Sequence, residues 1–296
     1  MEDLSCVECH NNTTIITGKT VAWETSAHGT GGSVTYAGGR GGCAACHSGG
    51  AFTAMIAAGQ NPSEYEAGDP APTRQDCRAC HVIHTSYTAD DWALTTTDPV
   101  ALYAFEGTTF DGGSGNLCAT CHQPRRAIAE PTDGNIEVTS THWGPHHGPQ
   151  SAVLLGMGGA GDTTGSAMAH ALEVPDTCVS CHVGETDDHT FGVSIDACVA
   201  CHSGAEDFDI GGVQTEVQEG LDAMKEALLA KGWLAEEEDH GEVSIHPVVG
   251  LIPEAEAEAL WNWILLSVED GSLGIHNPEY TLALIEEGLA ALGVGS

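Results

Sequence analysis

Basic residues are scarce: 8 Lys and Arg stand against 43 Asp and Glu in 296 residues, a formal net charge of −35. A surface of that sign repels phosphate backbones instead of neutralising them, so nucleic acid is excluded as a partner. The imbalance, with only three lysines, points to a salty or alkaline exterior where counter-ions screen the self-repulsion. Aromatics make up only 5% of the chain; a chain this long could bury an ordinary core, but this composition suits one folded around large flat cofactors. Long apolar runs are missing as well. The best of them, 259–266, is too short to span a membrane and contains Asn262. No secretion signal is visible, because Met1 is followed directly by Glu2 and Asp3. Finally, no cysteine is left over to build a disulfide framework.

What is present is a repeated motif. The 12 cysteines form six C-x-x-C-H sets: Cys6/Cys9/His10, Cys43/Cys46/His47, Cys77/Cys80/His81, Cys118/Cys121/His122, Cys178/Cys181/His182 and Cys198/Cys201/His202. A lone C-x-x-C serves redox or zinc sites, and six pairs could make three four-cysteine zinc sites. A zinc ribbon has no need of histidine after every second cysteine, however, and bridges between cysteines so close in sequence are strained and close little loop. The pattern is that of covalent haem attachment, in which two thiols bond the vinyl groups and the adjacent histidine reaches the iron. Six haem c groups are therefore expected. Their propionates, offset by oxidised bis-ligated centres, lower the net charge by about six more units. Attachment of this kind takes place outside the cytoplasmic membrane, so the chain is read as a mature or trimmed form whose export signal is missing, extracellular or periplasmic.

With 38 glycines and about fifty residues per motif, the expected fold is mainly irregular coil with short α-helices wrapped around six covalent haems, a small helical C-terminal section and little β. The haem faces then supply much of the core, and the apo-chain should be largely unfolded. Three sections are expected within one continuous haem-bound unit. Residues 1–135 carry four motifs at start-to-start spacings of 37, 34 and 41. Residues 136–212 carry two motifs with clusters of further histidines, and 213–296 form a helical section.

In that last section Val217, Leu221, Met224 and Leu228 recur at helical spacing. A second helix is expected after Pro253, running through Leu260, Trp261, Ile264 and Leu265. Asn277 and Pro278 are the natural N-cap and first residue of a final helix containing Leu282, Ile285 and Leu289. The Gly-rich stretch 154–165 reads as an irregular surface loop.

Of 16 histidines, six are proximal. Six irons need six more ligands, and the candidates are His28, His84, His146 or His147, His170, His189 and His276. His28 lies on a small-residue turn. His84 stands nearly one helical turn beyond His81, so it should serve a neighbouring haem. His189 lies between the closely spaced fifth and sixth motifs and could cap an iron of either or of an adjacent site. His276 sits just ahead of a capped helix. His142 is a weaker candidate, while His240 and His246 fall in an acidic, turn-rich connection and receive no role. Met55, Met157 and Met168 have no support as ligands. An iron with two imidazoles can pass electrons but has no open position for nitrite, hydroxylamine or peroxide.

The six motifs, the run Cys80-His81-Val82-Ile83-His84, the run Gly144-Pro145-His146-His147-Gly148-Pro149 and the ending Gly274-Ile275-His276-Asn277-Pro278-Glu279-Tyr280 together resemble the multihaem c-type cytochromes. The motifs cover 6–202 and the ending extends the likeness to about residue 292. The resemblance implies serial, closely stacked haems acting as an electron wire toward other redox proteins or extracellular acceptors. Some extracellular members polymerise, a histidine of one subunit ligating a haem of the next, which makes a homopolymer one expected form. Ammonia-forming nitrite reductases are similar in haem spacing and C-terminal helices, but they carry lysine in place of the proximal histidine at the catalytic haem. Here all six motifs end in histidine, so a multihaem reductase with one open haem is the alternative reading and no catalytic residue is assigned.

Overall fold

The computed structural model describes residues 14–146, 148–185, 187–239 and 242–295. The first motif (Cys6, Cys9, His10), His147 and His240 lie outside the described residues. As expected, irregular chain joins many short helices and there is little strand, which among the described residues forms two-stranded pairs. Among the described residues, no helix is long and apolar enough to cross a membrane.

The chain forms two compact units. One comprises Met1–Ala101, Thr109–Cys121 and Val174–Ala205; the other comprises Leu102–Thr108, His122–Glu173 and Glu206–Ser296. The first unit holds helix α1 (Thr14–Thr25), helix α2 (Gly49–Ala57) and a short antiparallel pair, β1 (Val100–Ala101) with β2 (Thr109–Phe110). The rest of its helix is single turns. One apolar cluster gathers Ala45, Phe52, Met55, Ala79 and Leu117, with the half-buried Cys46, Cys80 and Cys121 packed against it. Attachment cysteines thus border the apolar interior, and the fully buried Met55 is a packing residue within it.

The second unit has a larger apolar interior. Strand β3 (Asn135–Val138) contributes Ile136 and Val138, and helix α3 (Val213–Lys231) contributes Val217, Leu221, Met224 and Leu228, all nearly or fully buried. Gly232, at φ 78°, ends α3 in the left-handed conformation that glycine adopts without strain. A hairpin follows, β4 (Leu234–Asp239) against β5 (Glu242–Pro247), then β6 (Gly250–Pro253), which pairs antiparallel with β3. Where sequence suggested a turn-rich connection, 234–247 is therefore a ladder. His246 belongs to it and lies 3.5 Å from Glu237.

Helix α4 (Glu254–Trp263) begins after Pro253 with Glu254 and Glu256 in its first turn, the end where negative charge is favoured. It widens into a π-helical stretch, Ile264–Asp270, closed by Gly271 at φ 64°. Helix α5 (Pro278–Leu292) starts as the sequence indicates, with the Asn277 side chain accepting from the Tyr280 amide at 3.2 Å. Close approach of α3 and α5 depends on two glycines. A Cβ on Gly220 would fall 2.5 Å from Ile285, and one on Gly288 would fall 2.4 Å from Met224.

The Gly-rich stretch 154–165 is irregular, but it is pinned rather than loose. Trp261 Nε1 donates to the Gly158 carbonyl at 2.8 Å, and the Asn262 amide makes a reciprocal pair with the backbone of Ala160. Tyr280 Oη accepts from the Gly159 amide, and the Glu287 carboxylate accepts from Asp162 and Thr163. The glycines let this backbone lie directly on α4 and α5.

Candidate haem-binding sites

Each of the five described motifs overlaps a short helical turn: Ala44–His47 with Cys43 at its N-cap, Cys77–Cys80, Asn116–Ala119 with Cys121 just beyond it, Cys178–His182, and Asp196–Val199 with Cys201 just beyond it. Cysteines three residues apart on a turn share a face, which presents both thiols to one planar group. Local chemistry fixes the turns. Asp76 caps Cys77–Cys80, accepting from the Arg78 amide at 2.9 Å and pairing with its guanidinium. The fifth motif is seated against the loop ahead of the fourth: Thr177 Oγ1 donates to the Gly112 carbonyl at 3.1 Å, and the Asp176 carboxylate accepts from the Ser114 amide at 2.7 Å. Gly115 is required there, since a Cβ would come within 2.1 Å of Thr177 Oγ1.

Among the described residues, none of the ten cysteines forms a disulfide. Burial first, then Cys77 and Asp76, pushes the Cys80 thiol up to about 11. Hydrogen bonds from neighbouring thiols push two others well above the ordinary range, Cys118 through Cys178 and Cys121 through Cys46. Burial also raises Cys77, Cys181 and Cys198. Among the described residues, no three His, Cys, Asp or Glu side chains converge as a metal site requires. Cys46, Cys80 and Cys121 border an apolar cluster, and a histidine follows each pair in sequence, which suits covalent attachment of a porphyrin with axial ligation. The same contacts bring motifs together, because Cys46 neighbours Cys121, Cys178 neighbours Cys118, and Cys80 acts on both Cys118 and Cys121.

The imidazoles give the more discriminating geometry. The rings of His81 and His189 lie 6.3 Å apart, centroid to centroid, and only 24° from parallel. One ion between two imidazole nitrogens, each at about 2.0 Å, holds the ring centres roughly 6 Å apart. His81 Nδ1 meets the Trp92 carbonyl at 2.7 Å and His189 Nδ1 meets the Asp187 carbonyl at 2.8 Å. A carbonyl can only accept, so each Nδ1 carries the proton and each lone pair sits on Nε2. Burial, opposed by the Trp92 carbonyl and reinforced by His189, holds His81 below its ordinary pKa, which favours the neutral form that a metal needs.

Around the same segment, His182 Nδ1 meets the Phe191 carbonyl at 2.9 Å, and the His28 ring stands edge-on to Phe191 at 4.9 Å. Lys19 on α1 fastens the segment through Asp187 at 3.3 Å. The His28 turn, Ala27–Thr30, is capped by Ser26 Oγ, and Arg74 donates to the Gly29 carbonyl.

His84 is placed differently from its sequence expectation. The helical turn stops at Cys80, because Val82 N bonds the Ala93 carbonyl and His81 bridges to Leu94, drawing the chain out into a ladder. His84 then turns left-handed at φ 66°, its amide donating to Asp91, and its ring lies 5.9 Å from that of Tyr87. It is thus not one helical turn beyond His81.

In the second unit, His122 Nδ1 meets Gln150 Oε1 at 3.2 Å, and Gln150 Nε2 donates to the carbonyls of Glu269 and Asp270. Those two donations fix which end of the amide faces His122. His170 Nδ1 donates to the Ile275 carbonyl at 2.6 Å, and His276 Nδ1 donates to Asp270 Oδ1 at 2.6 Å. His146 sits at φ 73°, while His142 is exposed, its amide donating to Ser140 Oγ. His47 closes the Ala44–His47 turn, and His202 directly follows Cys201, its amide bonded to the Cys198 carbonyl. Asp270 and Gln150 were not expected from sequence. A single carboxylate or amide carries no signature of facing an imidazole until the π-stretch and the 148–150 turn place it.

The sequence model of cytochrome c7 and related cytochrome c matches residues 1–82, which include the first three motifs. Curated proteins give no match. Among solved structures, the outer cell wall cytochrome OcwA has a similar fold, with TM-score 0.59 and 19% identity, covering 93% of this chain and 50% of that one. The chain thus spans half the length of that cytochrome. The repeated motifs, the imidazoles beside them, the family match over residues 1–82 and the shared fold make the chain similar to the multihaem c-type cytochromes.

Proposed function

We propose that the chain is an exported hexahaem electron-transfer protein whose irons are each closed by two imidazoles. The observation that carries this reading is the facing pair His81 and His189, 6.3 Å apart, with both Nδ1 groups committed to carbonyls. Haem c supplies a one-electron Fe(III)/Fe(II) couple, and two imidazole ligands make it a low-potential couple with no open coordination position. The chain's own residues tether, orient and crowd these groups. Cys46, Cys80, Cys118, Cys121 and Cys178, from four motifs, neighbour one another within one unit, which supports the closely stacked arrangement that serial electron transfer needs. The remaining ligands in this proposal are His28, His84, His146 or His147, His170 and His276 opposite proximal His10, His47, His122, His182 and His202.

The partners are other redox proteins or extracellular acceptors. The charge of −35 favours those with a basic docking face, so association should slow as salt rises. The test uses the reduced holoprotein. Rapid oxidation by a soluble one-electron acceptor, with no catalytic consumption of nitrite or hydroxylamine under reduced viologen, is the expected result. Sustained turnover of either substrate would instead establish the reductase reading. Electron microscopy of the same native preparation decides the working form, long unbranched fibres meaning a polymer with haem contact between subunits and uniform single particles meaning a shuttle.

A further inference from the structure

We propose that the turn 270–277 is a ligand clamp that orients two axial imidazoles at once, and that Asp270 makes the iron bound by His276 lower in potential than the one bound by His170. This rests on the reading of both histidines as ligands. The two are tied to one turn by different acceptors. His170 donates to a neutral carbonyl, that of Ile275, whereas its sequence neighbour His276 donates to the Asp270 carboxylate at the same distance, 2.6 Å.

Asp270 is set up for the purpose. It is the last residue of the π-stretch, its side chain is 1% exposed, and its other oxygen accepts from both the amide and the hydroxyl of Ser272. Ser272 Oγ accepts in turn from the His276 amide at 3.4 Å. Beyond His276 the turn is bolted down by Asn277, whose Nδ2 donates to the carbonyls of Val153 and Ser166 while its Oδ1 caps α5. A buried carboxylate accepting from Nδ1–H draws the proton toward itself and makes Nε2 a stronger donor, which stabilises the oxidised metal. A carbonyl does this less. Asp270 is therefore a positioning residue that also tunes its partner.

The test is a spectroelectrochemical titration of holoprotein, wild type against Asp270→Asn and Ser272→Ala. Asp270→Asn should ease reduction of one iron by about tenfold, 59 mV for one electron, with every iron still low-spin. Ser272→Ala removes a competing donor from the carboxylate and should move the same midpoint the other way. Unmoved midpoints, or both variants shifting in one direction, would overturn the proposal. His276→Ala separates this from a failure of the ligand reading. If it leaves every iron low-spin, His276 is no ligand; if it yields one high-spin iron while Asp270→Asn shifts nothing, only the role of Asp270 falls.

Discussion

Replacing His189 by alanine should convert one iron of the resting protein from low-spin to high-spin and open that iron alone to cyanide. The ring of His189 lies 6.3 Å from that of His81, centroid to centroid, and its Nδ1 is held by the Asp187 carbonyl while Lys19 anchors the loop. Alanine takes the ligand away but leaves both the loop and the thiols of Cys77 and Cys80. A coordination position filled by protein is thereby exposed to water and small anions. His189→Met should restore six-coordination with a raised potential, because thioether sulfur favours the reduced iron more than imidazole does. Electron paramagnetic resonance and cyanide titration read both effects. An unchanged low-spin spectrum in His189→Ala would mean that another side chain closes the third-motif iron.

A second large effect follows from the unequal interiors of the two units. The full chain, produced in a host without haem-attachment machinery, should lose the structure of 14–101 while keeping the helices of 213–292. Among the described residues, Met55 is buried with Ala45, Phe52, Ala79 and Leu117, two of them alanines, and ordering each residue costs about 1–2 kcal/mol of backbone entropy, so that unit is expected to need the porphyrin faces as core. The cluster formed by α3, α4 and α5 instead buries Trp261, Trp263, Leu260, Leu265 and Leu284 without any cofactor, at roughly 1.5–3 kcal/mol for each large side chain. Limited proteolysis with mass spectrometry should therefore return a resistant C-terminal fragment, with far-UV circular dichroism showing reduced but clear helix. Native helix content without haem would contradict this division. The expectation from composition, a largely unfolded apo-chain, is thus narrowed to the part that lacks an apolar interior of its own.

The features legible in sequence were those with short-range causes. Val217, Leu221, Met224 and Leu228 share a helix face, and Asn277 with Pro278 starts α5, because spacing and capping act within a turn or two. The cysteine motifs were legible for the same reason. The 234–247 hairpin was not, since its acidic run, Glu236 to Asp239, hides any alternation. Likewise, nothing in the sequence near His189 announces His81, more than a hundred residues away. Spacing pointed to the fifth and sixth motifs, but the two rings, each held at Nδ1 by the carbonyl of Asp187 or Trp92, come to lie 6.3 Å apart. His84 looked helical only while the pull of Ala93 and Leu94 on the chain was unseen.

The claim on which the account depends is that every iron is closed by two imidazoles. Electron paramagnetic resonance of the oxidised, resting holoprotein, quantified against its haem content, tests it most directly. The account predicts low-spin ferric signals for all of the haem and no rapid change on adding cyanide. A high-spin signal amounting to one iron per chain, lost when cyanide binds, would contradict it.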